Sequence, residues 1–417
     1  MLILKNARVL DADHERDDGR YSIVIDGDTI REVTREPVAA SDAQVIDVGG
    51  KTVMPGMIDC HVHVIASVAH LGNNSRLPNT FAVLRAVPIL AGMLNRGFTT
   101  VRDAGGADYA LSRAIEEGVI AGPRLFVAGK ALSQTGGHGD FRERFDNSDP
   151  DPCGCNRNMG AIGRVVDGVD EMRKAVREEM RAGAHHIKIM ASGGVASPTD
   201  PIGNLQFSVD EVKAAVEEAQ SHQTYVMAHA YTAKAIARVV KLGVRTIEHG
   251  NLIDDETASV MAEHGAYAVP TLVTYDAMSK VGAQMGLAKD TLDKNESVRK
   301  RGLEALAMLH ARGVKMGLGT DLLGDMHEYQ SDELSIRADI VGAFEAIRQA
   351  TAIGAEIVNM KGKLGIVAAG AYADLLVVDG DPLKDIRVLT GQGERIAGVM
   401  KNGAWVRATM PQPTNQR

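Results

Sequence analysis

Short apolar alternations broken by turn residues open the chain. Leu2-Ile3-Leu4, Tyr21-Ser22-Ile23-Val24-Ile25 and Val45-Ile46-Asp47-Val48 are strand-like runs, and Asp26-Gly27-Asp28 after the second is a hairpin signal. The far end repeats the style. Ala373-Asp374-Leu375-Leu376-Val377-Val378 precedes Asp379-Gly380-Asp381-Pro382, and Ile396-Ala397-Gly398-Val399-Met400 precedes Lys401-Asn402-Gly403. Both ends are therefore expected to build one small β-sandwich, with the middle inserted between its halves. From about residue 54 the pattern changes to strand, helix, strand, helix. A first strand-like run holds Ile58, and others fall at 99–102, 124–127, 186–189, 225–228, 246–247, 267–269 and 315–318. Helical stretches fall between them at 80–96, 107–120, 169–182, 209–222, 232–242, 254–264, 297–312 and 331–350. Repeated βα units of this number predict an α/β fold, a (β/α)8 TIM-like barrel of parallel strands. The expected division is 1–55 and 359–417 for the two parts of the sandwich, and 56–358 for the barrel.

The 417 residues leave room for both units, and 45% hydrophobic content is enough for a large core. Lys+Arg 46 against Asp+Glu 54 gives a net charge of −8, which provides no global attraction to nucleic acid or an anionic membrane. A small molecule is the expected substrate. Three cysteines, Cys60, Cys153 and Cys155, are not a disulfide framework, and Cys153-Gly154-Cys155 is too tightly spaced for a zinc ribbon. The apolar opening MLILKNARVL is interrupted by Lys5 and Arg8, with no signal h-region or membrane run after it, so the expectation is a cytoplasmic protein. No G-x-G-x-x-G follows the first strand, which disfavours dinucleotide binding.

Barrel enzymes carry their chemistry at the C-terminal ends of strands. Here the first strand ends Asp59-Cys60-His61-Val62-His63, the fifth Met227-Ala228-His229, the sixth Ile247-Glu248-His249-Gly250 and the eighth Gly319-Thr320-Asp321. Residues two apart on an extended segment point to the same face, so His61 and His63 can share one ion. Imidazole and carboxylate suit Zn²⁺ and neighbouring divalent metals. The fourth strand, His185-His186-Ile187-Lys188-Ile189-Met190, places a lysine in an apolar run. A buried ammonium is costly and would repel a nearby cation. Carboxylation by CO₂ resolves both problems, because the carbamate oxygens can bridge two metals, which in turn activate water and polarise a carbonyl. Mouth loops at 65–79, 130–166, 195–207 and 274–295 are expected to set the substrate. The longest, 130–166, is rich in Gly, Asp, Asn and Pro and carries Gly136-Gly137-His138-Gly139-Asp140.

These segments resemble the amidohydrolase superfamily over nearly the whole chain, from Val53-Met54-Pro55-Gly56-Met57-Ile58-Asp59-Cys60-His61-Val62-His63 to Ala371-Tyr372-Ala373-Asp374-Leu375-Leu376-Val377. Within it the chain is similar to the binuclear prolidase-like group of zinc dipeptidases and carboxypeptidases, some of which hydrolyse the amide of ochratoxin A. Thr135-Gly136-Gly137-His138-Gly139, Ile187-Lys188-Ile189-Met190-Ala191-Ser192-Gly193-Gly194 and His229-Ala230-Tyr231-Thr232 carry the narrower match. The resemblance implies that His61, His63, Lys188, His229, His249 and Asp321 hold two zinc ions bridged by carboxylated Lys188. It implies Asp321 as general acid/base, Tyr231 as donor to the carbonyl oxygen and His138 as a contact to the substrate carboxylate or carbonyl. It also implies a homo-oligomer. Arg142 and Arg144 lie in the loop of His138 and are candidates for the substrate carboxylate. The rival functions are a cyclic-amide or lactone hydrolase, a deaminase, or a non-catalytic assembly protein. The segment His229-Ala230-Tyr231-Thr232 lacks the Glu common in deaminases, and all six ligand positions are filled, which disfavours the assembly protein.

Overall fold

The computed structural model describes residues 1–13, 19–38, 43–142, 145, 158–197 and 200–410, with the backbone of 414–415. Both chain ends build one nine-stranded sheet system. Its first strand, Leu2–Val9, changes partners at an irregularity between Leu4 and Ala7. The early part pairs with Tyr21–Asp26 and Gln44–Asp47, the late part with Thr52–Pro55. Thr52–Pro55 then pairs antiparallel with Leu375–Val378 from the far end, Met54 opposite Leu376. Leu4, Ile23, Ile25, Ile46 and Val53 from one part meet Leu375, Val377 and Met400 from the other in one buried cluster. The alternation of apolar and polar residues at both ends makes this possible, since each strand supplies one face to the shared core.

The middle of the chain is α/β. Met57–Val62, Phe98–Asp103 and Arg124–Phe126 form one parallel sheet. Gly163–Val165, Ala131–Ser133, Ile187–Met190, Val226–Thr232, Thr246–Leu252 and Tyr267–Val269 form a second, also parallel throughout. Single contacts link the two: His185 N, just before Ile187–Met190, donates to Val127 O at 2.8 Å, and the segment 316–318 lies between them, Met316 bridging Ala268 and Cys60 N donating to Leu318 O at 2.7 Å. Every residue of Met57–Val62 and Phe98–Asp103 is buried, as expected of parallel strands covered on both faces.

Helices cover these strands. Ala233–Lys241 buries Ala235, Ile236, Val239 and Val240 along one stripe and begins at Thr232, whose side chain accepts from Ala235 N. Val209–Ser221 starts with a reciprocal capping box between Ser208 and Glu211. Three expectations need correction. The expected loop 274–295 is mostly helical, with Leu272–Val281 and Lys289–Ala311. The expected helix 331–350 is two, Asp332–Val341 and Ala343–Gln349, divided at Gly342 with φ +82°. The connection 130–166 contains the strands Ala131–Ser133 and Gly163–Val165. Cys153 and Cys155 lie outside the described residues, and Cys60 is buried. Among the described residues no helix is long and apolar enough to cross a membrane.

Candidate metal centre

The parallel strands carry their ligand-type residues to one end. His61 lies in Met57–Val62 with His63 just after it, Lys188 in Ile187–Met190, His229 in Val226–Thr232 and His249 in Thr246–Leu252. The pairing register puts His229 opposite Met190 and Glu248, and His249 opposite Ala230. Asp321 N donates to His61 O at 2.8 Å, which brings the 318–321 segment beside the first strand. Asp59 reinforces this. One carboxylate oxygen accepts from His61 N, and the other accepts from Thr320 Oγ1 at 2.6 Å and Gln330 Nε2 at 2.9 Å. His249 and Asp321 adopt φ +73° and +52°, left-handed conformations that ordinary side chains rarely take and that cluster at functional sites.

His61, His249 and Asp321 offer ligand atoms that all lie within 4.8 Å of one another. Asp321 Oδ1 is 3.4 Å from His61 Nε2 and 3.3 Å from His63 Nε2. The His229 ring packs on His249 with centroids 4.6 Å apart. Asp321 has a side chain 22% exposed, against 1% and 6% for His61 and His63, so it is the ligand-type group open to an incoming molecule.

Each imidazole has one nitrogen already engaged. Nδ1 of His61 faces Glu248 Oε2 at 2.7 Å, Nδ1 of His63 faces Gly105 O at 2.8 Å, and Nδ1 of His249 faces Thr271 Oγ1 at 2.8 Å. In His229 it is Nε2 that faces Gly193 O, at 3.1 Å. For His61, His63 and His229 the carboxylate or carbonyl demands a proton from its partner nitrogen, which leaves the other ring nitrogen with a free lone pair; the Thr271 hydroxyl allows the same at His249. This partner pattern is the one that orients metal-ligating histidines.

The electrostatics agree with a cation-binding cluster. Burial pushes the Lys188 ammonium down to about 8, although Glu248 and Asp321 pull it back up. Among the described residues its side chain makes no hydrogen bond or ion pair. Burial, helped by neighbouring imidazoles, holds His229 and His249 well below the usual imidazole range. Burial opposes charge on Asp321, yet His61 and His63 hold its carboxyl well below the usual carboxylate range. Neutral imidazoles at His229 and His249 and an ionised carboxylate at Asp321 are donor forms a divalent metal needs, whereas at His63 burial opposes charge but the Asp321 carboxylate pushes the imidazole up.

His138 stacks on His229 with centroids 4.2 Å apart, and its Nδ1 lies 3.1 Å from Ser197 Oγ and 3.5 Å from Asp200 Oδ2. A Cβ on Gly194 would overlap the His138 ring, so the second glycine of Gly193-Gly194 permits this close approach. Tyr231 stacks on His249 at 5.2 Å. The structure thus gathers Tyr231 and His138 around the imidazole cluster. The Arg142 guanidinium instead grips Asp140, Nε to Oδ1 at 2.7 Å and an Nη to Oδ2 at 2.6 Å. Arg144 lies outside the described residues.

Sequence reasoning missed the groups behind the cluster. Arg102 crosses the interior to Glu248, Nη2 lying 2.9 and 3.1 Å from the two carboxylate oxygens, and both side chains are fully buried. Burial opposes charge on Glu248, but Arg102 and His61 hold its carboxyl far below the usual range. The available signal was a charge inside each of two apolar strands. Tyr275, whose hydroxyl meets Tyr231 at 2.8 Å, had none because its segment, 274–295, was read as a loop, and Thr271 fell between that loop and the strand-like run 267–269.

A strand-end cluster of imidazoles and a carboxylate on a parallel α/β core has the donor types and placement of a metal-assisted hydrolase site. The chain belongs to the amidohydrolase family, whose model matches residues 52–406. It falls in the prolidase-like group of that superfamily. It is 31% identical over 360 residues to ochratoxinase of Aspergillus niger, covering 84% of this chain and 75% of that protein. Among solved structures it is 57% identical to a prolidase complexed with N-methylphosphonate-L-proline, with TM-score 0.96 over 98% of this chain and 100% of that one. It is 31% identical to a Xaa-Pro dipeptidase with bound methionine in the active site, with TM-score 0.84 over 98% and 100%.

Proposed function

We propose that this chain is a metal-dependent amide hydrolase that releases the C-terminal amino acid from dipeptides or N-acyl amino acids, ochratoxin A-type amides included. The observation that carries the proposal is the set of four imidazoles, three with one nitrogen spent on a carboxylate or carbonyl and the fourth with one on a hydroxyl, around Asp321 and an unpaired buried Lys188. Relatives named prolidase, Xaa-Pro dipeptidase and ochratoxinase support an amide bond as the target. His61, His63, His229, His249, Asp321 and carboxylated Lys188 would hold two divalent ions, zinc in this reading. A lysine depressed to about 8 has a useful neutral fraction near neutral pH, and only the neutral amine can add to CO₂ and lose its proton to give the carbamate. Bound there, the ions would supply Lewis acidity toward the carbonyl and lower the pKa of water.

The chain's own groups do the rest. Asp321, exposed on one side, takes up the proton from water and returns it to the leaving amine. Tyr231 donates to the carbonyl oxygen as negative charge develops there. His138 contacts the substrate carboxylate or carbonyl, with Arg144 on the same loop as a further carboxylate contact, whereas the Arg142 guanidinium is held by Asp140. For the fold, we read Met57–Val62, Phe98–Asp103, Arg124–Phe126, Ile187–Met190, Val226–Thr232, Thr246–Leu252 and Tyr267–Val269, with the segment 315–318 as the eighth, as one closed barrel over 56–358, and the sandwich as formed by 1–55 and 359–417. The edge contacts of Val127, Met316 and Leu318 support closure.

Amine release by zinc-reconstituted protein from a panel of dipeptides and N-acyl amino acids tests the reading. Cleavage with a preference at the C-terminal residue is expected. Silence across the panel with two metals bound would contradict it and turn the assignment toward cyclic amides or lactones.

A further inference from the structure

Tyr275 is buried, 1% exposed, on the helix Leu272–Val281. Its hydroxyl lies 2.8 Å from the Tyr231 hydroxyl and 3.2 Å from His249 Nδ1. Its backbone is fixed from two directions: Asn295 Nδ2 donates to Tyr275 O at 2.9 Å, and Val273 N donates to Glu333 at 2.6 Å. The hydroxyl is therefore held between a ligand-type imidazole and the proposed carbonyl donor, with Thr271 as a third neighbour.

Proton counting gives this chain a direction. A hydroxyl has one proton, so a tyrosine that must donate to the substrate has to receive from its other neighbour. With the lone pair of His249 on Nε2, its Nδ1 carries the proton and points at Thr271 Oγ1 and the Tyr275 oxygen. Tyr275, receiving from His249, sends its own proton to the Tyr231 oxygen. The Tyr231 proton is then left for the site. The opposite direction needs either a bare Nδ1 and a protonated Nε2, which would remove His249 from the ligand set, or a Tyr275 proton sent to Thr271 Oγ1, which already faces His249 Nδ1. We infer that Tyr275 is a positioning residue, which relays the tautomer of His249 to Tyr231 and aims the Tyr231 proton at the substrate oxygen. This rests on the amide-hydrolase reading for the role of Tyr231, but the coupling of the two hydroxyls can be read without turnover.

The test compares wild type, Tyr231→Phe, Tyr275→Phe and the double variant, all reconstituted with zinc and checked for equal metal content. Two readouts are taken: kcat and KM on the best dipeptide, and the dissociation constant of a phosphonate dipeptide analogue with a tetrahedral centre. Tyr275→Phe is expected to lower kcat about tenfold with KM nearly unchanged, and to weaken the analogue by a similar factor. The double variant is expected to be no worse than Tyr231→Phe, because Tyr275 acts through Tyr231. Losses that multiply in the double variant would overturn the inference, as would a Tyr275→Phe protein indistinguishable from wild type. If wild type cleaves no amide, the functional reading fails while analogue binding still decides the coupling, in the same two directions.

Discussion

Gly194 and His138 show how a single backbone position shapes the mouth of the cluster. The His138 ring occupies the space a Cβ at 194 would need, and it stacks on His229 from there. Gly194→Ala must displace the ring, because the contact is with the imidazole itself. We expect kcat/KM to fall about tenfold or more with zinc content unchanged, since a misplaced contact costs orientation and not metal affinity. Steady-state kinetics with metal analysis on the same preparation check this. A variant as active as wild type would remove His138 from the substrate's surroundings. At this scale the sequence was highly legible. Ligand-type residues closed five strand-like runs in order, and the structure brings His61, His63, His249 and Asp321 together, with His229 and Lys188 adjoining. Arg142 was legible only as a charge, because nothing in the local sequence told that Asp140, two residues away, would take it.

Strands and helices were legible where the pattern was periodic and capped. Asp108, Ser208, Thr232 and Asp254 each accept from a backbone N–H at a helix start, and all four helices were anticipated within a few residues. The helix Leu272–Val281 begins without a side-chain cap after Pro270, and most of its first turns are buried, so it shows no amphipathic stripe. The strands at 131–133 and 163–165 are three residues long, too short for periodicity to register. Arg102 and Glu248 are 146 residues apart, and only the parallel packing of the strands brings them together. Their pair supports the floor of the cluster through Glu248 and His61. Glu248→Gln leaves the Arg102 charge buried without compensation, so we expect a loss of about 3–5 kcal/mol in denaturant unfolding. Zinc affinity, read by competition with a chelator, should fall about 10–100-fold as His61 loses its orienting partner. Unchanged stability and affinity would mean that the pair is incidental.

At the scale of the whole molecule, stability depends on charges far from the cluster. Glu356 accepts from Lys315 at 2.6 Å, Lys361 at 2.8 Å and Tyr267 at 3.0 Å, and its side chain is only 12% exposed. Burial opposes its charge, but the two lysines and the tyrosine lower its pKa from 4.5 to about 2. A carboxyl depressed on folding stabilises above its ordinary value and loses that contribution as pH falls through its folded value. Glu356→Gln should therefore cost about 1–2 kcal/mol at neutral pH, allowing for solvent screening of the lysines. The gap between wild type and variant should close between pH 4.5 and about 2. Thermal melts of both proteins across that window check the prediction, and a gap independent of pH would contradict it. The union of the two chain ends in one sheet was also legible, because matching strand-like runs at both ends had no other partner of their kind.

The account stands or falls on Lys188. It is the one buried cation beside the cluster without a hydrogen bond or ion pair among the described residues, and carboxylation gives that position a purpose. Zinc per chain, measured by inductively coupled plasma mass spectrometry on wild type and Lys188→Ala together with amino acid release from a dipeptide, tests this most directly. The account predicts two zinc ions and turnover in wild type, and at most one ion with background turnover in Lys188→Ala. Full metal content and full activity in the variant would contradict it.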